Sequence, residues 1–271
     1  MPRKAKHPTL REVERLRLIL STYQDGSGML SLKDGRTLPG WRDFERAVAL
    51  AFGGEAQENK AIFDVLLASP DRPDVKCGLS CKMRRELDRV EKDGRVTLEL
   101  SNSAGKFWDH LRTKGLHQRN YKSHPKEVGE ALVELVKQWH DEVSLAQGGN
   151  VDLDRSSYLA LSWNRAGEYQ LHQFSLTLPD RGELAWRFPH VEKRGVKSKA
   201  RHLAGYDATG ILFEWYGESG GQLKYYPLAQ NALWSSERFR LEHLREDRSY
   251  GLLDKVAAYF PELWAEANQE P

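Results

Sequence analysis

Two apolar runs, AIFDVLL at residues 61–67 and VKCGLSCKM at 75–83, stand on either side of Ser69-Pro70-Asp71-Arg72-Pro73-Asp74. This arrangement restricts the fold more than any other stretch of the chain. Short apolar runs around a segment dense in turn formers predict a hairpin of strands 62–68 and 76–83. If the hairpin is centred near residue 73, Asp64 faces Lys82 and Leu66 faces Ser80. Asp64, Ser80 and Lys82 then project from one face. Asp71 and Asp74 belong to the turn, since the extended chain from Asp74 to Lys82 covers roughly 26 Å. A carboxylate inside an apolar strand is expensive to bury unless it is paired or binds a cation. For Asp64 both remain open, because Lys82 alone would satisfy it.

The flanking patterns are helical. TLREVERLRLILSTY places Thr9 and Glu12 at capping-box spacing ahead of Leu10, Val13, Leu16, Leu18, Ile19 and Leu20. After a glycine-rich break, WRDFERAVALAF predicts a helix over 41–52 that stops at Gly53-Gly54. Trp41, Glu45, Val48 and Phe52 share one stripe of it, which aims Glu45 inward. GRVTLEL alternates Val96, Leu98 and Leu100 against Thr97 and Glu99, the pattern of a third strand, and SNSAGKFWDHLR and HPKEVGEALVELVKQWHDEV predict two more helices. From SYLALSW onward strands dominate, until GLLDKVAAYFPELWAEA returns to helix.

This order predicts an α/β fold, a mixed central sheet flanked by helices, with an added β-rich portion. Gly148-Gly149 is the best candidate seam, between residues 1–147 and a part over 150–271 that completes the core. At 271 residues the chain can bury a core without metals or disulfides. Cys77 and Cys81, the only cysteines, would lie roughly 13 Å apart on one strand, too far to bridge. They are expected to be reduced core thiols. No apolar run reaches membrane-spanning length, and MPRKAKHP lacks the apolar stretch of a secretory signal, which predicts a cytoplasmic protein without a membrane partner.

Two or three carboxylates and one lysine, gathered on a sheet edge beside a helix, are what metal-dependent phosphodiester hydrolysis uses. Carboxylate oxygens hold the metal, the metal acidifies a water, and an ammonium orients the nucleophile. The chain has no HNH-type or zinc-ligand cluster of Cys and His, no HxK motif completed by an aspartate, and no P-loop. An inward helix glutamate, then FDVLL, then GLSCK resembles the PD-(D/E)XK nuclease superfamily, and within it the type II restriction endonucleases. The usual (D/E)xK stands here as Ser80-Cys81-Lys82, similar to the variant branch that keeps SxK and draws the displaced carboxylate from elsewhere.

The resemblance spans residues 41–110 and implies a restriction-endonuclease-like core, a Mg²⁺ cofactor and double-stranded DNA as substrate. It implies Asp64 as the metal-binding aspartate, Lys82 as the catalytic lysine and the Cys81 carbonyl as a further metal ligand. Glu45 matches the helix glutamate, and Glu99, or less readily Glu86, supplies the displaced acid. Cutting two strands symmetrically asks for a homodimer. A repair or structure-selective nuclease on the same core, or a catalytically silent DNA-binding protein, are the alternatives.

The net charge of +2 does not itself point to a polyanion. Local clustering does. EKRGVKSKARH, predicted as a loop, carries Lys193, Arg194, Lys197, Lys199 and Arg201, the expected phosphate contacts. RTKGLHQRNYKSHPK adds Lys114, Arg119 and Lys122 in a segment poor in apolar anchors, expected to order on a partner.

Overall fold

The computed structural model describes residues 7–33, 36–57, 62–69, 71–101, 103–193, 196–199, 202–245 and 251–267, with backbone alone at 191–193, 196–199 and 252. Helix α1 (Leu10–Thr22) opens with the expected capping box: the Thr9 hydroxyl accepts from the Glu12 amide at 3.2 Å, and the Glu12 carboxylate accepts from the Thr9 amide at 2.7 Å. A small ribbon, β1 (Leu30–Ser31) and β2 (Thr37–Leu38), leads to α2 (Trp41–Phe52), which ends at Gly53 with φ 70°, a left-handed turn glycine adopts without strain. Then come β3 (Glu55–Ala56), β4 (Val65–Ala68), β5 (Lys76–Arg84), α3 (Leu87–Asp93), β6 (Leu98–Ser101), α4 (Ala104–Thr113) and α5 (Pro125–Glu142). The second half runs β7 (Ser157–Trp163), β8 (Glu168–Ser175), β9 (Ala185–Arg187), β10 (His190–Lys193), β11 (Val196–Lys199), β12 (Leu203–Asp207), β13 (Gly210–Trp215), β14 (Leu223–Tyr225), β15 (Trp234–Ser235) and β16 (Phe239–Arg240). It closes with α6 (Leu252–Tyr259) and α7 (Pro261–Ala267), Pro261 splitting the single helix the periodicity predicts.

The protein is a mixed α/β fold. Its larger sheet has the order β15-β8-β7-β5-β4-β3, with β16 also on β8; β5 and β7 run parallel and the other pairs antiparallel. A second, five-stranded sheet has the order β6-β14-β13-β12-β9. Each sheet takes strands from both sides of Gly148-Gly149. One face of the larger sheet, Leu79, Cys81, Leu159, Leu161 and Leu171, packs under Leu16 and Leu20 of α1 and Phe44, Ala47 and Val48 of α2. Its other face, with Phe63, Tyr158 and Ala160, joins Phe107 and Trp108 of α4, Val128 and Leu132 of α5, and Phe213, Trp215 and Trp186 of the five-stranded sheet. Helix α5 touches both sheets, with His140 stacked on Phe63 and Gly129 so close to the Trp186 indole that a Cβ would overlap it. Full burial stabilises each such large apolar side chain by about 1.5–3 kcal/mol.

Three expectations need correction. Trp41 is 42% exposed, under the Arg42 guanidinium, and Phe44, Ala47, Val48 and Ala51 carry the inward stripe instead, which leaves Glu45 half-buried at its edge. His190–Lys193 and Val196–Lys199 pair as an antiparallel ribbon, β10 on β11, where a loop was expected. The 112–126 segment has anchors after all: Leu116 and Tyr121 are buried, Tyr121 against Trp108 of α4, and its backbone is bonded to the ends of α4 and α5. Among the described residues no helix is long and apolar enough to cross a membrane.

Candidate active site

The β4–β5 hairpin forms in a register two residues from the predicted one, with Val65 opposite Leu79 and Leu66 opposite Gly78. The turn explains the shift. Ser69 N–H donates to the Val75 carbonyl at 2.9 Å and Val75 N–H to the Arg72 carbonyl at 3.0 Å, so the hairpin closes earlier than a centre at residue 73 allows. Because side chains alternate with period two, a slip of two residues keeps every side chain on its face. Asp64 therefore sits level with Ser80, and Lys82 reaches it diagonally, within range for a long side chain.

At Asp64 the chain leaves the ladder. Its N–H still donates to the Leu79 carbonyl at 3.0 Å, but its carbonyl accepts from Gln57 N–H at 2.9 Å, and the next β5 donor, Cys81 N–H, goes to carboxylate Oδ2 at 2.7 Å. Lys82 Nζ donates to the same oxygen at 3.0 Å and to the Cys81 carbonyl at 3.0 Å, and the Ser80 hydroxyl approaches it at 3.4 Å. Phe63, one residue earlier, holds this bend in place: its ring lies against Gly78, where a Cβ would overlap it. A glycine inside a strand marks such a close approach. Lys82 and Asp64 are 20% and 25% exposed, so the ion pair is accessible yet shielded from full solvation.

Cys77 and Cys81 are both buried and form no disulfide. Burial, with the Asp64 and Glu45 carboxylates nearby, pushes the Cys81 thiol well above its usual range despite Lys82. Cys81 therefore offers its backbone carbonyl and not a thiolate. Glu45 is carried by α2, which covers the Cys81 side of the sheet, while Ser80 and Lys82 project from the other.

Glu99 lies on β6, in the other sheet, and forms an ion pair with Arg84, the next residue after Lys82 on that face of β5. Glu86, the lesser candidate for the displaced acid, is engaged elsewhere. Its carboxylate, 11% exposed, accepts from the Thr97 amide at 2.7 Å and hydroxyl at 2.6 Å and pairs with Arg89 at 2.8 Å. It fastens the start of α3 to the segment that leads into β6. Asp71 is in the turn, 84% exposed, beside Arg155 at 3.6 Å.

Among the described residues, no three His, Cys, Asp or Glu side chains converge as a ready metal cage. The donors at the hairpin are oxygens alone, one carboxylate and one carbonyl. Such a set suits a hard cation that keeps most of its waters, as Mg²⁺ does, and not a thiolate-seeking metal.

Of the basic residues, Lys114 pairs with Glu134 at 3.0 Å, and Lys122 pairs with Glu218 at 2.7 Å, where the Tyr121 hydroxyl also donates at 2.6 Å; Arg119 is exposed. Lys193 ends β10, and Lys197 and Lys199 lie in β11, their side chains outside the description; Arg194 and Arg201 lie outside the described residues. Arg84 escaped the sequence reading, although the period-two pattern Ser80, Lys82, Arg84 was there to find it. The chain matches no family model, no curated protein and no solved structure.

Proposed function

We propose that the chain is a Mg²⁺-dependent nuclease of the restriction-endonuclease kind, a homodimer that hydrolyses phosphodiester bonds of double-stranded DNA at a specific sequence. The observation that carries this reading is the meeting of the Asp64 carboxylate, the Lys82 ammonium and the Cys81 carbonyl where β4 leaves β5. Asp64 and the Cys81 carbonyl would hold the cation, and Glu99 is the acid available from the neighbouring sheet once Arg84 lets it go. Bound there, Mg²⁺ supplies an acidified water and neutralises charge growing on the phosphate. The Lys82 ammonium, freed from Asp64, donates to the attacking water and sets its direction. Ser80 and the Cys81 amide keep the Asp64 carboxylate from turning away.

One observation favours a silent DNA-binding protein: Asp64 and Glu99 each already hold a cationic partner, Lys82 and Arg84. Incubation of the protein with supercoiled plasmid decides between them. Discrete bands with Mg²⁺ and none in EDTA support the restriction reading, and nicking or a smear supports a repair nuclease. A gel shift without cleavage supports the silent binder.

A further inference from the structure

The five-stranded sheet packs one face into the core; on the other, α3 reaches the β6–β14 end, where Arg89 donates to Thr97 and lies over the Tyr226 ring, and Ala204 on β12 is buried. Its inner rows, Leu98, Tyr225, Phe213 and Trp186 among them, belong to the core. The register places a row of the opposite parity across all five strands: Glu99 on β6, Lys224 on β14, Glu214 on β13, Ala204 on β12 and Arg187 on β9. Four steps of about 4.8 Å make that row roughly 19 Å long.

The two carboxylates of the row are engaged within the protein. Glu99 holds Arg84. Glu214 accepts from the Tyr216 hydroxyl at 2.8 Å and the Tyr226 hydroxyl at 2.5 Å, with His202 Nε2 at 3.3 Å. The two cations are held differently. Among the described residues neither Lys224 nor Arg187 has a carboxylate within ion-pair distance; each lies over a ring, Lys224 over Tyr216 at 4.6 Å and Arg187 over Tyr206 at 4.1 Å. His202 stacks on Tyr216 with centroids 5.2 Å apart. Beyond Arg187 a cavity of about 470 Å³ is lined by Lys122, His190 and Tyr206. The row begins at Glu99, which holds Arg84 of the strand that carries Lys82, and ends at Arg187, just before the β10–β11 ribbon.

We infer that this face is where the polynucleotide lies, with Lys224 and Arg187 contacting backbone phosphates of one strand as it runs from the Asp64–Lys82 site toward the β10–β11 ribbon. The inference rests on the substrate class proposed above and not on cleavage. Unpaired cations held over aromatic rings are positioned by neutral partners, so a phosphate can take them without displacing a carboxylate. At 3.4 Å of duplex axis per phosphate of each strand, the row spans about five or six base-pair steps.

The test measures binding of a fluorescein-labelled 20-base-pair duplex by anisotropy, in EDTA, over a series of salt concentrations. The pair Arg187→Gln with Lys224→Gln should weaken binding about tenfold and lower the slope of log affinity against log salt by roughly two, one for each lost phosphate contact. The pair Arg187→Lys with Lys224→Arg should retain most of the affinity. Wild-type affinity and slope in the glutamine pair would overturn the inference, as would loss by the charge-keeping pair or tighter binding of single strands than of duplex. If the wild-type protein leaves plasmid uncut with Mg²⁺ yet the glutamine pair loses duplex binding as described, the nuclease reading falls and the binding face stands.

Discussion

Take away the Asp64 carboxylate and three donors, the Cys81 amide, the Ser80 hydroxyl and the Lys82 ammonium, point at a gap. Leaving buried donors unsatisfied costs about 1–3 kcal/mol. Asp64→Ala should therefore lower unfolding stability by that amount, whereas Asp64→Asn, which keeps an acceptor oxygen, should lose less; equal losses in urea titrations would mean the carboxylate is not what those donors need. For function the order of importance differs. Lys82→Ala should keep duplex binding and lower cleavage by at least ~100-fold, the scale of removing a positioned catalytic group, and unchanged cleavage would remove Lys82 from the mechanism. Asp71→Ala should cut normally, since that side chain is in the turn. At this scale the sequence was most legible. Asp64, Ser80 and Lys82 could be read together because strand parity survives an error of two residues in register, whereas the partners of Glu99 and Glu86 could not, because Arg84 and Thr97 reach them through tertiary packing.

The hairpin as an element depends on Gly78, whose missing side chain makes room for the Phe63 ring and so fixes the residue that follows it. Gly78→Ala should destabilise the protein by about 1–3 kcal/mol, the usual result of overpacking a core. It should also reduce cleavage by moving Asp64. A variant as stable and active as wild type would show that Phe63 has freedom to move that its packing denies. Helices were readable to within a residue or two where a cap or a stop glycine marks them, as at Thr9 and Gly53. The β10–β11 ribbon was not: its strands are short and mostly polar, and such strands are specified by pairing rather than by alternation.

Across the whole molecule, two buried histidines link stability to acidity. Burial lowers His140, between Phe63 and Tyr158, to about 4 despite Asp141 nearby, and lowers His172, stacked on Phe174, to about 4. In the unfolded chain both would titrate near 6.5. Below that pH the unfolded state binds more protons, so stability is whole above about pH 6.5 and is lost as pH falls toward 4, by about 1.4 kcal/mol per pH unit for each histidine. Urea titrations at pH 7 and pH 5 should show the loss, and His140→Gln should make it shallower; identical midpoints at both pH values would mean the rings are more open to water than their burial implies. The fold class was legible in the order of patterns. The pairings were not, because β5 lies beside β7 across more than a helix-pair of intervening chain, and β6 belongs to a sheet whose other strands come much later. That last arrangement bears on synthesis. Leu98 meets Tyr225 only after about 125 further residues have left the ribosome, a wait of roughly 6–25 s at usual translation rates. For that interval β6 is an open edge on the nascent chain, which makes residues 98–101 the place where a chaperone, or another copy still being made, would first take hold.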